Sequence, residues 1–322
     1  MDHGNVTTTT YFIILGISEK PLLQCVVFLL VLLIYLLTLG GNITIFLLVC
    51  LDHHLHTPMY FFLANLSLLD VSCSTISLHK ILISFISGDN TVSVVECFVQ
   101  MFVFLSLTCN ELLVLAAMGY DRYVAICNPL RYHVVMDSKL CIFLAFLCWG
   151  CGFLEILPGF IELFKLTCFK SNVVDHFFCD VVPVLKLSCS DTSFLQFYTL
   201  TVGVLICSFT PFALTFISYV FIISTILSIR SSSGRRKAFY TCSSHLIVVL
   251  CLYASLVFQY LRPFSSINLS SNKYLFLCNT AAVPILNPLI YSLKNKDVKA
   301  AIRRRIKFVG IPTNSKDHKL NI

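Results

Sequence analysis

Four polar side chains stand inside long apolar stretches of the sequence, where a charge is expensive and is usually kept for a function. Asn42, Asp70, Glu111 and Asn287 each fall in a different stretch. Two carboxyl groups that meet in such surroundings rarely both stay ionised without a partner. We therefore expect Asp70 and Glu111 either to hold a cation or to share a proton in a hydrogen-bonded cluster.

Cysteine thiols are the second set of reactive groups. Of the 16 cysteines, 12 fall in or beside apolar stretches, where a free cysteine behaves as a small hydrophobic residue. Of the other four, Cys97 stands at the start of the third stretch, and Cys168, Cys179 and Cys189 lie in a long loop over residues 164–195. In an oxidising compartment they would form two disulfides, with three possible connectivities. Such bridges would hold the loop as a lid.

The elements that position these residues follow from hydropathy. The chain has 322 residues, of which 57% are hydrophobic and 12% are charged, against about 25% charged in soluble domains. Apolar stretches that each reach the roughly 20 residues of a spanning helix cover 22–51, 58–84, 97–127, 140–163, 196–228, 238–261 and 272–293. Helices satisfy the backbone in lipid. We therefore predict an all-α membrane protein, a bundle of seven transmembrane helices.

Basic residues predict the orientation of the bundle. With the N-terminus outside, 16 of the 23 Lys and Arg residues fall on the cytoplasmic side, as the positive-inside tendency requires. We expect an extracellular tail over 1–21, the seven-helix domain over 22–293 and a cytoplasmic tail over 294–322. The first ten residues are polar, so we expect no cleavable signal peptide, and Asn5 begins a glycosylation sequon. The net charge of +7 lies mainly on the cytoplasmic face, which favours lipid and excludes nucleic acid as its partner.

Four motifs narrow the class of protein. LHTPMYFFLANLS (55–67) opens the second stretch, MGYDRYVAIC (118–127) closes the third, KAFYTCSSHL (237–246) opens the sixth and PILNPLIYSL (284–293) closes the seventh. Together, and in this order, they resemble the signature set of the olfactory (odorant) receptors, a family of rhodopsin-like, class A G-protein-coupled receptors.

The resemblance implies a receptor rather than an enzyme, with a short amphipathic eighth helix after the seventh. It places the protein in the plasma membrane, in the cilia of olfactory neurons. The implied partners are a small-molecule odorant, the olfactory stimulatory G protein that raises cyclic AMP, receptor-trafficking chaperones and membrane lipid.

The resemblance also implies a switch at the cytoplasmic end of the bundle. Asp121 would restrain Arg122 in the resting receptor, and Arg122 would swing toward Tyr219 on activation and open a groove for the G protein. The other switch residues carried over from the family are Tyr123, Asn287, Pro288 and Tyr291. For the polar group of Asn42, Asp70 and Glu111 the family implies a sodium ion, and the shared proton stays as the alternative.

For the lid, the resemblance implies a disulfide between Cys97 and Cys179. Pairing of Cys168 with Cys189 stays open. This chain has Cys168 before Phe169, where the family has the reverse order, and disulfide geometry requires Cα atoms within about 7 Å.

The odorant pocket is also carried over from the family. Its expected lining residues are Leu105, Thr108, Cys109, Gly203, Cys207, Tyr253, Leu256, Tyr260, Leu277 and Thr280. Amine receptors carry a carboxylate in the outer half of the third helix, where this chain has Phe104, so we expect a small, neutral, largely apolar ligand. A receptor for a non-volatile peptide or lipid is the second interpretation. A channel or transporter is the third, and neither a filter sequence nor an internal repeat supports it.

Overall fold

The computed structural model is mostly helical. It describes residues 9–17, 20–260, 273–274, 276–277, 280, 284–290 and 295–308. Asn5, Tyr291 and the side chain of Tyr260, which the sequence singled out, lie outside the described residues.

Helices occupy the first six predicted apolar stretches wherever the structure describes them. Their bounds are α1 Pro21–Leu51, α2 Pro58–Ser87, α3 Val94–Cys127, α4 Tyr132–Val135, α5 Ser138–Leu163, α6 Val181–Leu187, α7 Ser193–Tyr198, a π-helix Thr199–Phe209, α8 Thr210–Ser228, α9 Ser232–Tyr260 and α10 Lys296–Phe308. Among the described residues, five helices are long and apolar enough to cross a membrane, α7 to α8 counting as one. The two parts of α9, bent by 41°, make a sixth if they form one span. The described residues of 284–290, in the seventh predicted stretch, are helical.

Local sequence sets the turn between α2 and α3. Gly88 ends α2 with a φ of 70°, a conformation that glycine adopts without strain. A capping box begins α3: the Ser93 hydroxyl accepts from the Glu96 amide, and the Glu96 carboxylate accepts from the Ser93 amide at 3.0 Å. The box starts α3 three residues before the apolar stretch that predicted it.

Close helix packing centres on α3, which contacts α2, α5 and α8. Gly152 lets α5 approach α3, because a Cβ at that position would lie 1.7 Å from the Asn110 side-chain oxygen. The Trp149 indole donates to the Asn65 side-chain oxygen at 3.1 Å and joins α5 to α2. Gly41 of α1 allows a similar approach by Pro288, since an added Cβ would lie 2.7 Å from the proline ring.

A small three-stranded sheet caps one end of the bundle, which the all-helical prediction did not contain. Strand β1, Tyr11–Ile14, lies between β2, Thr91–Ser93, to which it is antiparallel, and β3, Val173–Val174, to which it is parallel. Phe12 and Ile14 are buried while Tyr11 is exposed, which is the alternation of a strand with one covered face. The sheet therefore joins the N-terminal segment to the lid.

Both disulfides form in the lid. Cys97 pairs with Cys179, as the resemblance implied, and their Cα atoms are 5.4 Å apart. Cys168 pairs with Cys189 at a Cα separation of 5.3 Å, so the reversed order of Cys168 and Phe169 does not prevent this bridge. The second pair is held in register by the Cys189 amide, which donates to the Cys168 carbonyl at 3.0 Å.

Candidate functional site

A cavity of about 160 Å³ lies between α3, α5, the π-helix and α9. Seven of the residues expected at an odorant pocket line it: Leu105, Thr108, Cys109, Gly203, Cys207, Tyr253 and Leu256. Most of the remaining wall is apolar and includes Met101, Phe102, Ile156 and Val257. The sequence motifs did not identify these four residues, because apolar side chains occur throughout the surrounding helices.

Two other expected pocket residues lie elsewhere. Leu277 packs with the lid aromatics and with side chains of α1 and α2. Thr280 is buried, and its hydroxyl donates to the Phe276 carbonyl at 2.9 Å. Neither lines the cavity, and Leu277 packs instead against an aromatic cluster that contains Phe104, Phe178 and Phe276.

The π-helix shapes one wall of the cavity. Its wider turn is uncommon and is found most often at functional sites. A Cβ added to Gly203 would meet only Thr199, at 4.0 Å, so the absence of a side chain there leaves open space. The Ser208 hydroxyl donates to the Gly203 carbonyl at 2.9 Å and satisfies an acceptor in this irregular segment.

Glu155 contacts two residues of the cavity wall, Cys109 and Cys207, and sequence reasoning missed it. Its carboxylate oxygen lies 3.2 Å from the Cys109 sulfur and 3.1 Å from the Cys207 sulfur. The Tyr198 hydroxyl donates to the main-chain carbonyl of Glu155 and fixes this part of α5 against α7. Glu155 could have been identified from the sequence as a carboxylate within an apolar stretch, because the same feature identified Asp70 and Glu111.

The lid closes over the aromatic cluster and contributes Phe177 and Phe178 to it. Lys273 forms an ion pair with Asp175 at 2.5 Å, and the His176 ring stacks on Phe177 with ring centres 4.7 Å apart. Burial lowers the pKa of His176 to about 4, so the ring is neutral at physiological pH. Burial raises the pKa of the Asp180 carboxyl to about 6, against the opposing hydrogen bond from the Val181 amide.

The predicted polar group is assembled deeper in the bundle. Asn42, Asp70, Glu111 and Asn287 are all buried. The Asn287 amide donates to Asp70 at 2.7 Å, and the Asn42 amide donates to the Pro284 carbonyl at 2.9 Å. Asp70 and Glu111 lie near enough for their carboxylate charges to repel each other.

This polar group contains buried oxygen atoms without partners. One side-chain oxygen on each of Asn42, Asp70, Glu111 and Asn287 has no hydrogen-bond partner among the residues that the structure describes. Buried acceptors are normally satisfied, so several orphans in one cluster indicate a donor or cation that the described side chains do not supply. The arrangement suits either a small cation or protons held between the carboxyl groups.

At the C-terminal end of α3, Arg122 and Asp121 form an ion pair at 2.5 Å, and Asp121 is fully buried. The Tyr132 hydroxyl of α4 donates to the other oxygen of Asp121 at 2.8 Å. Burial, and then the adjacent Asp121 carboxylate, raises the pKa of Tyr132, so its hydroxyl stays a proton donor. Tyr123 packs beside Tyr219 and Ile222 of α8.

Tyr219 contacts α9 through a histidine that the sequence motif contained but did not single out. The Tyr219 hydroxyl lies 2.8 Å from Nδ1 of His245, and Nε2 of His245 lies 3.0 Å from the Leu115 carbonyl of α3. A carbonyl oxygen only accepts, so a neutral His245 donates from Nε2, and its Nδ1 accepts a hydrogen bond from the Tyr219 hydroxyl, which the Cys242 carbonyl at 3.1 Å shares. Three helices are thereby joined through one imidazole ring.

The helix α10 is tied to the short loop between α1 and α2. Arg304 pairs with Asp52 at 2.7 Å. The Tyr60 hydroxyl lies 3.0 Å from side-chain oxygens of Asn295 and Asp297. Through these contacts α10 is held against the end of the bundle that carries Asp121 and Arg122.

The helices and the lid together define a rhodopsin-like seven-helix fold. The structure superposes on squid rhodopsin with a TM-score of 0.71 over 94% of each chain, at 17% sequence identity. The model of the olfactory receptor family matches residues 31–307. Human olfactory receptor 6C1 is 46% identical over 92% of this chain and 95% of its own length, and human olfactory receptor 6C74 is 46% identical over 95% and 98%. The chain belongs to the olfactory receptor family, a family of membrane receptors and not of enzymes.

Proposed function

We propose that the chain is an odorant receptor that binds small, neutral, largely apolar molecules in the cavity and activates a stimulatory heterotrimeric G protein. The observation that carries the proposal is the cavity itself, which is apolar over most of its wall and carries few polar groups. One of these is the Tyr253 hydroxyl, which is buried and has no hydrogen-bond partner in the described part of the chain. Such a group orients a ligand that brings one hydrogen-bonding atom.

The size of the cavity favours a small ligand over a peptide. At about 160 Å³ it is close to an engineered apolar cavity of about 150 Å³ that binds benzene. Adjustment of the surrounding side chains would admit somewhat larger molecules. A peptide or a whole lipid is larger than this volume. The proposal therefore ranks a volatile, compact ligand above the non-volatile alternative.

The orientation belongs to the same proposal. We assign residues 1–21 to the extracellular side, 22–293 to the membrane and 294–322 to the cytoplasm, because most Lys and Arg residues then face the cytoplasm. Two disulfides in the lid support an extracellular lid, since the outside of the cell is oxidising. We further propose that receptor-trafficking chaperones are partners of the chain and that it is located in the cilia of olfactory neurons.

Coupling to the G protein is assigned to the inner ends of α3, α8 and α9. The ion pair between Arg122 and Asp121 is a restraint suited to a resting receptor. Release of Arg122 would let it turn toward Tyr219, once Tyr219 leaves His245. Tyr123, Asn287, Pro288 and Tyr291 are proposed to support this rearrangement.

A sodium ion is proposed to occupy the polar group deeper in the bundle. Unpaired oxygen atoms on Asn42, Asp70, Glu111 and Asn287 are hard ligands of the kind that alkali cations take. A positive ion would also remove the repulsion between Asp70 and Glu111. The alternative, a proton shared by the two carboxyl groups, predicts a response that depends on pH and not on sodium concentration.

The function is tested by measuring cyclic AMP in cells that express the chain with a surface-trafficking chaperone and the olfactory stimulatory G protein. A panel of volatile neutral odorants is applied. We expect a dose-dependent rise for at least one odorant. Silence across the panel at confirmed surface expression, with a response to a lipid or peptide panel instead, would contradict the odorant assignment.

A further inference from the structure

Two thiols and a carboxylate converge on the cavity from three different helices. Cys109 comes from α3, Glu155 from α5 and Cys207 from the π-helix. Their nearest sulfur and oxygen atoms all lie within 4.8 Å of one another. Cys109 and Cys207 are buried and Glu155 is half-buried.

We propose that Cys109, Glu155 and Cys207 form a zinc site in the wall of the cavity. Zinc is bound by thiolate sulfur at about 2.3 Å and by carboxylate oxygen at about 2.1 Å. A tetrahedron with those bond lengths places sulfur and oxygen about 3.6 Å apart and the two sulfurs about 3.8 Å apart. The observed sulfur–oxygen distances of 3.2 and 3.1 Å reach this geometry by small side-chain movements.

The donor set selects among cations. Calcium and magnesium take six or more oxygen ligands and are not matched by two sulfurs and one carboxylate. Copper(I) prefers sulfur alone, whereas zinc accepts mixed sulfur and oxygen ligands. A divalent ion also offsets more of the charge of two thiolates and one carboxylate than a monovalent ion does. Binding releases the two thiol protons, so zinc affinity increases with pH.

The three protein ligands leave one coordination position open. Both cysteines line the cavity, so this position faces the space proposed for the odorant. Sites with three protein ligands and one exchangeable position are the kind that bind water or a substrate atom. Zinc would thus join α3, α5 and the π-helix, and a ligand in the cavity could bind to it as a Lewis acid. The site goes beyond the proposed function and is testable without an odorant or a G protein.

The first experiment uses cobalt(II) as a spectroscopic substitute for zinc. The purified full-length receptor, carrying an affinity tag without histidine, is titrated with cobalt(II) and then with zinc. Thiolate ligation produces a sulfur-to-cobalt charge-transfer band, to which the cytoplasmic-side histidines do not contribute. We expect the band to saturate at one cobalt per receptor and to disappear when zinc is added.

Substitutions identify the residues that produce the charge-transfer band. Cys109→Ser and Cys207→Ser should each weaken zinc binding by about 100-fold or more, above the 10–100-fold that outer-shell changes cost. Glu155→Gln should keep the band but weaken binding by about tenfold. Cys148→Ser is the matched control, because Cys148 is a buried thiol on the same helix as Glu155 but packs in the main hydrophobic cluster. An unchanged band in the Cys109→Ser, Cys207→Ser double variant would overturn the proposal, as would its absence from the unmodified receptor.

A second measurement needs no variant and so does not depend on variant folding. The unmodified receptor in membranes is alkylated with and without zinc, and the labelled cysteines are quantified by mass spectrometry. Zinc should slow labelling of Cys109 and Cys207 at least about tenfold and leave exposed Cys25 unaffected. Equal labelling of Cys109 and Cys207 in both conditions would overturn the site even if odorant responses were normal.

Discussion

Filling the cavity from Gly203 tests whether odorants bind there. Gly203 lies on the cavity wall, and an added Cβ would meet only Thr199, at the ordinary contact distance of 4.0 Å. Gly203→Ala should therefore fold without strain and change the cavity little. Gly203→Leu adds three further carbons, and the open side of the residue directs them into the cavity. We expect the Ala variant to keep its odorant profile and the Leu variant to lose its longer ligands.

The size of the effect follows from the contacts that the leucine displaces. Each ligand carbon that loses its place in an apolar site costs about 0.8 kcal/mol. Three displaced carbons cost about 2.4 kcal/mol, which corresponds to roughly 50-fold in affinity. Odorants shorter by three carbons avoid the penalty. The variant should thus change the chain-length preference of the receptor and not its response to every ligand.

The assay is a set of cyclic AMP dose–response curves for a homologous series of odorants, such as alcohols or esters of increasing length. Gly40→Leu is the matched control. Gly40 is exposed on α1, and an added Cβ there meets nothing within 4 Å. Surface expression of all three variants is measured in parallel. If Gly203→Leu and Gly40→Leu give the same length preference as the unmodified receptor, the cavity is not the odorant site.

Three further changes test the switch, the helix packing and the lid. Arg122→Ala should abolish the cyclic AMP response at normal surface expression, because the cation held by Asp121 is removed; a retained response contradicts its role in coupling. Gly152→Ala should destabilise the purified receptor by about 1–3 kcal/mol, since the methyl group would lie 1.7 Å from Asn110; an unchanged melting temperature refutes this packing. Asp180→Asn should raise stability at neutral pH. Burial raises the pKa of Asp180 from 3.8 to about 6, so the folded receptor favours the protonated carboxyl. The stability that this protonated form contributes is complete below pH 4 and is lost as the pH rises through 6. Thermal melts from pH 4 to 7 should show this loss in the unmodified receptor and not in the variant, and identical profiles would argue against it.

The helices could be predicted from sequence because hydrophobic length alone determines them. The apolar stretch at 58–84 and the helix α2, Pro58–Ser87, begin at the same residue, where a proline suits the first turn. The family model and the rhodopsin superposition confirm the family resemblance and the seven-helix fold. The orientation of the termini stays a prediction, since it depends on the distribution of Lys and Arg.

Features that depend on contacts between distant parts of the chain could not be predicted from the sequence. Strand β1 is a four-residue run whose partners lie about 80 and 160 residues further along the chain, so no local pattern predicts it. The pairing of Cys168 with Cys189 depends on the path of the lid, which one exchanged residue does not determine. Glu155 was missed because its significance comes from two thiols on other helices.

Energetics favour α9 over α3 as the element that moves on activation. The N-terminal end of α3 is fixed covalently by the bridge from Cys97 to the lid. In contrast, the polar contacts of α9 with its neighbours near its N-terminal end include the two hydrogen bonds of His245 and the contact of the Tyr219 hydroxyl with the Cys242 carbonyl. Two neutral hydrogen bonds contribute about 2 kcal/mol, whereas a micromolar odorant supplies about 8 kcal/mol on binding. Tyr253 and Leu256 of α9 line the cavity. If a quarter of the binding free energy of a ligand came from contacts with these two residues that form only after α9 moves, it would offset the hydrogen bonds of His245. Binding could therefore release Tyr219 while α3 stays in place.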